Sequence, residues 1–132
     1  MGRGSATDLH GRPVWSDAME YWHNPRCSKS RQGKELLDAA GSTYKVRSYL
    51  DEPPTAKELD KVLIALGKEP WDIARMGEDV AKQLDLQALP HDRAEWIKVM
   101  VANPILIERP ILIADDGRAA LGRPPEDLKA LL

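Results

Sequence analysis

The chain has a single cysteine, Cys27, among 132 residues. One thiol excludes an internal disulfide, and with no partner at the Cys-x-x-Cys distance no local dithiol can cycle unaided. Histidine is scarce as well, and His10, His23 and His91 are scattered. One thiol and three dispersed imidazoles do not make a zinc site. Net charge is only −2, so no global basic field points to nucleic acid. Long apolar runs are missing. The stretches 105–107 and 111–114 fall far short of the roughly 20 residues that a bilayer span needs. The first residues contain no apolar segment of signal-peptide length. These absences predict a cytoplasmic protein whose thiol stays reduced, working without nucleic acid or membrane.

What is present suits one domain with a real core: 42% of residues are apolar and 30% charged. Residues 1–18 carry no helical or strand period and read as a natural extension or a cloning remnant, which leaves 19–132 as a single domain. Met19, Glu20, Tyr21 and Trp22 form a short strand candidate that Asn24-Pro25 breaks. A helix is expected to begin at Cys27 or Ser28 and to stop near Ala40, before Gly41. Residues 44–49 alternate as a second strand. Pro53-Pro54 ends it, and Thr55-Ala56-Lys57-Glu58 has the capping-box pattern. Leu59, Val62, Leu63 and Leu66 then mark one apolar helical face. A short helix is expected over 78–84. A further one follows Asp92, carries Trp96, Val99 and Met100, and is stopped by Asn103-Pro104. Residues 111–114 and 118–121 flank Asp115-Asp116-Gly117 as a hairpin. A last helix with Leu128, Leu131 and Leu132 on its apolar side follows Pro124-Pro125. The order β-α-β, helical insert, β-β-α implies an α/β fold in which helices cover a four-stranded mixed sheet.

The segment His23-Asn24-Pro25-Arg26-Cys27-Ser28-Lys29-Ser30-Arg31 carries the chemistry. It sets a cysteine after a strand and at the start of a helix, where free N–H groups bear positive partial charge. Those groups lower a thiol's pKa and can hold an oxyanion beside the sulfur. Arg26, Lys29 and Arg31 add positive charge nearby. A lone cysteine is more often a small buried hydrophobe, but basic and polar neighbours argue against an apolar pocket here. His23 reads equally well as a proton-handling group and as a hydrogen-bonded structural residue. The Cys-x5-Arg phosphate loop is missing, because Gly33 stands six positions after the cysteine.

This segment resembles the active-site motif of the glutaredoxin-dependent arsenate reductases, roughly His-Asn-Pro-x-Cys-x-x-Ser-Arg. The likeness continues from about residue 19 to 132. Tyr49-Leu50-Asp51-Glu52-Pro53-Pro54, then Asn103-Pro104-Ile105-Leu106-Ile107-Glu108-Arg109-Pro110-Ile111, then Gly122-Arg123-Pro124-Pro125-Glu126 match further hallmarks of that family in order. The resemblance implies a thioredoxin-like fold and a cytoplasmic monomer. It implies that Arg75, Arg109 and Arg123 bind the arsenate oxyanion, and it places Ser30 with them and His23 beside the catalytic Cys27. Arginine suits such a role because its planar fork makes paired bonds to oxyanions and stays charged. After Arg75 the family usually has a basic-polar pair where this chain has Met76-Gly77. After the cysteine it commonly has Gly-Thr where this chain has Ser28-Lys29. The resemblance also implies a cis Arg109-Pro110 bond facing the cysteine.

The mechanism that the resemblance implies is nucleophilic. The Cys27 thiolate attacks arsenate and forms a covalent cysteine–arsenic(V) adduct. Glutathione as co-substrate and glutaredoxin as partner supply the resolving thiols, and no bound cofactor or metal takes part. A different expectation comes from the non-enzymatic Spx-type redox regulators of the same superfamily. These usually carry Cys-x-x-Cys in this turn, whereas here the position three after Cys27 is Ser30. A third is a relative acting on another oxyanion or disulfide substrate.

Overall fold

The structure is a computed structural model that describes residues 19–132, so the reading of 1–18 lies outside the described residues. Strand β1 (Met19–Trp22) pairs in parallel with β2 (Tyr44–Arg47) and antiparallel with β3 (Ile111–Ile113), which pairs antiparallel with β4 (Ala119–Leu121). The sheet order is β2-β1-β3-β4. This is the four-stranded mixed sheet of a thioredoxin-like fold. Helix α1 (Ser28–Ala39) is the β1–β2 crossover. The insert between β2 and β3 holds α2 (Ala56–Leu66), α3 (Asp79–Gln83) and α4 (Arg93–Ala102), with short 3-10 turns at Pro70–Asp72, Leu86–Ala88 and Pro104–Leu106. Among the described residues no helix is long and apolar enough to cross a membrane.

Alternation along β1 and β3 divides the interior in two. Tyr21 pairs with Leu112, and both join Leu37 and Leu128 in a small core beneath α1. Trp22 pairs with Ile111 on the other face, in the larger core built with Leu59, Leu63, Trp96 and Met100. The capping box at α2 is made: Glu58 N–H donates to Thr55 Oγ1 (3.1 Å) and Thr55 N–H to Glu58 Oε1 (2.9 Å). Asp92 caps α4 by accepting from the N–H groups of Ala94 and Glu95. Arg47 fastens β2 to α2, with Nη1 2.8 Å from Glu58 Oε2 and Nη2 donating to Pro53 O at 2.9 Å.

Two expectations need correction. Strand β2 ends at Arg47, and Tyr49 lies in the following turn, fully buried and stacked on Trp22 at 6.4 Å. The last segment, Pro125–Leu131, is a 3-10 helix rather than an α-helix. It is short and its first turn is proline-bound, so few i→i−4 bonds were available. Of its leucines Leu128 is fully buried, whereas Leu132 is about half exposed.

One short pairing was invisible in the sequence. Ala74 bridges Ile107 antiparallel, Arg75 N–H donates to Leu106 O (2.8 Å), and Glu108 N–H donates to Ile73 O (3.0 Å). Residues 73–75 are thereby locked against 106–108, just before Arg109.

Candidate active site

The loop between β1 and α1 is closed by its own polar groups. Asn24 is buried. Its N–H donates to Ser30 Oγ (3.1 Å), its Oδ1 accepts from Arg26 N–H (3.0 Å), and its carbonyl accepts from Cys27 N–H (3.0 Å). Cys27 becomes the N-cap of α1, in extended backbone geometry, with a half-buried thiol. Ser30 is fully buried, and its hydroxyl is taken up in this clamp. It meets the sulfur through its backbone N–H. Arg31 Nη1 donates to Pro25 O at 2.8 Å, so this cation braces the loop.

The floor beneath α1 is tight. A methyl group on Gly33 would run into the Tyr21 hydroxyl and lie 3.3 Å from Pro110 Cγ, and one on Gly122 would lie 2.7 Å from the same Pro110 atom. Only residues without a Cβ let α1 and the end of β4 close on Pro110. The Tyr21 hydroxyl donates to Ser30 O at 2.6 Å and ties the first turn of α1 to the sheet. The Arg109-Pro110 bond is cis, as expected, and so is Arg123-Pro124, which was not foreseen.

Arg123, from the end of β4, reaches back to the thiol. Its Nη2 donates to Cys27 Sγ at 3.6 Å and its Nε to Arg109 O at 2.8 Å. Arg109 is 7% exposed. Its Nη1 donates to Ile105 O (3.3 Å), and its buried Nε meets no acceptor among the described residues. Burial pushes the Cys27 thiol up, but the N–H of Ser30, the Arg109 guanidinium and the N–H of Lys29 together hold it below its ordinary value.

Two carboxylates that sequence reasoning missed complete the cluster. Glu108 Oε1 lies 2.6 Å from Arg75 Nη1 and 3.0 Å from Arg123 Nη2, and accepts from Arg109 N–H at 3.3 Å. Glu78 Oε2 lies 3.1 Å from Arg75 Nε and 3.8 Å from Arg109 Nη2. Arg75 thus joins the group through Glu78 and Glu108. No local pattern singles out these two among the 21 acidic residues. Tyr49 adds an unforeseen wall. Among the described residues its buried hydroxyl has no hydrogen-bond partner, and burial pushes it up to about 12 against the pull of Arg109.

His23 stands on the β1 side. Its ring stacks on Tyr21 at 5.5 Å, its backbone N–H donates to Arg47 O at 2.9 Å, and its buried Nδ1 has no partner among the described residues. Burial first, then Lys34 and Arg31, hold its pKa below the usual imidazole value. The ring is therefore neutral at pH 7. Cys27, Arg109 and Arg123 come together directly, Ser30 does so through its backbone, Arg75 through carboxylates, and His23 packs against Tyr21.

The chain is 47% identical over 117 residues to an uncharacterized protein in the glnII region of Streptomyces viridochromogenes, an alignment covering 86% of this chain and 98% of that one. It is 38% identical over 115 residues to an arsenate reductase of Neisseria meningitidis, covering 86% and 97%. A solved arsenate reductase structure from Vibrio cholerae superposes with a TM-score of 0.82 at 35% identity, covering 87% of this chain and 98% of that one. A model of the ArsC family matches residues 22–131. On the sequence match, the shared fold and the site just described, the chain belongs to the ArsC family.

Proposed function

We propose that this chain reduces arsenate to arsenite through a covalent adduct on Cys27, resolved by glutathione and glutaredoxin. The observation that carries the reading is the Cys27 thiol at the N-terminus of α1, held below its ordinary pKa with Arg123 at 3.6 Å and buried Arg109 alongside. A nucleophile and oxyanion donors share one place. Relatives that bear the name arsenate reductase across nearly their whole length support the choice of oxyanion.

In this mechanism the thiolate attacks arsenic, and one arsenate oxygen leaves as water after protonation, which forms an S–As(V) bond. Arg109 and Arg123 offset the charge on the remaining oxygens, together with the N–H groups at the start of α1. Glutathione brings a second sulfur. Joining two sulfurs in one S–S bond releases two electrons, which take arsenic from the +5 to the +3 state. Glutaredoxin then accepts the glutathionyl group and returns Cys27 to the thiol. External thiols resolve the adduct, which agrees with a chain holding one cysteine. Ser30 contributes its N–H, Arg75 steadies the two carboxylates, and neutral His23 keeps the loop in place. The reaction proceeds in the cytoplasm on a monomer.

The test is arsenate-dependent oxidation of glutathione with glutaredoxin present. The wild type is expected to turn over and Cys27→Ser to be inactive. A wild type inert toward arsenate, yet still carrying an acidic thiol, would overturn the substrate assignment.

A further inference from the structure

The carboxylate of Glu108 is bonded to the same guanidinium nitrogen that reaches the thiol. Arg123 Nη2 has two hydrogens and two partners, Glu108 Oε1 at 3.0 Å and Cys27 Sγ at 3.6 Å. An oxyanion whose central atom bonds to Sγ brings its oxygens next to that same nitrogen. It can gain this donor only if Glu108 lets go. Glu108 has somewhere to go, because Arg75 Nη1 holds the same oxygen at 2.6 Å, and Arg75 is anchored on its other edge by Glu78 at 3.1 Å. The 73–75/106–108 pairing fixes both backbones, so the exchange needs side-chain movement only.

We propose that Glu108 is a positioning residue that aligns Arg123 at rest and yields it to the incoming oxyanion, and so sets how strongly the site takes up oxyanions. This rests on reading the cluster as an oxyanion cradle. Three guanidinium groups against two carboxylates leave one net positive charge, which the Cys27 thiolate cancels. A resident carboxylate therefore keeps the resting cradle neutral and makes each anion compete for its place. Singly charged small anions gain too little to displace it, whereas a tetrahedral oxyanion offers several oxygens at once. Arg75 acts through Glu108, as the group that receives it.

The charges facing the sulfur are Arg109 and Arg123, with the N–H groups of Lys29 and Ser30. Glu108 and Glu78 are paired to these guanidinium groups and to Arg75, and the hydroxyls of Tyr21 and Tyr49 stand near. Removing the Glu108 charge leaves Arg123 free to serve the thiolate, so the thiol should become more acidic.

The experiment uses inorganic phosphate, an unreactive tetrahedral oxyanion, to protect Cys27 from iodoacetamide. In Glu108→Gln the phosphate concentration for half-protection should fall roughly tenfold, the effect of one charged hydrogen bond no longer competing, and the pH midpoint of alkylation should move down. Glu95→Gln, on the exposed side of α4, should change neither. Glu108→Met, equally long and uncharged, serves the same test should the amide variant not fold. Unchanged or weaker protection with an unmoved midpoint would overturn the proposal, because a merely structural carboxylate would alter melting alone. Both readouts are independent of turnover. Tighter protection in a protein inert toward arsenate would uphold this inference and refute only the substrate assignment.

Discussion

Arg123→Ala tests the cradle most directly. The side chain holds Cys27 Sγ at 3.6 Å, Glu108 Oε1 at 3.0 Å and Arg109 O at 2.8 Å. Two unit charges about 4 Å apart interact by about 4 kcal/mol at an effective dielectric near 20. The Arg123 side chain is 30% exposed, so water screens part of that. Loss of one positioned donor to a developing oxyanion costs about 2.7–4 kcal/mol, or roughly 10²–10³ in rate, and the two estimates agree. Arsenate reduction should therefore fall by about that factor in Arg123→Ala, and the alkylation midpoint of Cys27 should rise. Arg123→Lys keeps the charge but not the fork that serves three partners at once, so its rate should fall between the two. Stability should change little, because Glu108 keeps Arg75, and a loss of about 1 kcal/mol would lower Tm by only roughly 3–5 °C. The assay is steady-state kinetics with a melt on each variant. Near-normal turnover in both Arg123→Ala and Arg109→Ala would refute the reasoning.

Other outcomes follow from the same geometry. Iodoacetamide should alkylate Cys27 with a midpoint below the free-thiol value of about 8.5, the reactive thiolate forming as pH rises through it. A midpoint at or above that value would remove the proposed nucleophile. His23 is held neutral when folded, so the unfolded chain binds the extra proton. Its contribution is complete above the unfolded value of about 6.5 and shrinks as pH falls toward the lower folded value, and melts of wild type and His23→Gln should converge over that window. Gly33→Ala drives a methyl group into the Tyr21 hydroxyl and Pro110, which should cost about 1–3 kcal/mol, and an unchanged or raised Tm would show that α1 has slack. Arg47→Leu removes the Glu58 pair and the bond to Pro53 O and should lower stability by about 1.5–3 kcal/mol, measured by urea unfolding with unchanged thiol reactivity.

The elements were legible wherever the signal is local. Thr55 with Glu58 announces α2, Gly41 punctuates the end of α1, and Asp115-Asp116-Gly117 marks the hairpin. Tyr49 misled because alternation over 44–49 continues smoothly, while the chain has already turned to bury that ring on Trp22. Cys27 at a helix start was legible, but the source of its positive surroundings was not. Arg31 braces Pro25, and the cations at the sulfur are Arg109 and Arg123, the latter 96 positions away. Glu108 meets Arg75 across 33 positions. Such pairings arise from tertiary placement, which no period or spacing encodes. Arg109 and Arg123 could be singled out only through the family resemblance.

The neck formed by 73–75 and 106–108 has an evolutionary consequence. The chain leaves the site after Glu78 and returns to it at Glu108 and Arg109, with residues 73–75 clamped against 106–108. The length of the excursion between them is thereby uncoupled from the spacing of the two arginines. Extra residues at an exposed corner of that excursion, such as Gln87-Ala88, would break the short turn bonds made by the N–H groups of Ala88 and Leu89 and would otherwise add mainly loop-closure entropy, about 0.6 kcal/mol for each doubling of a flexible loop. Descendants of this chain are free to lengthen or decorate that corner without moving the chemistry. It is also where an engineer should graft a tag or a sensor loop.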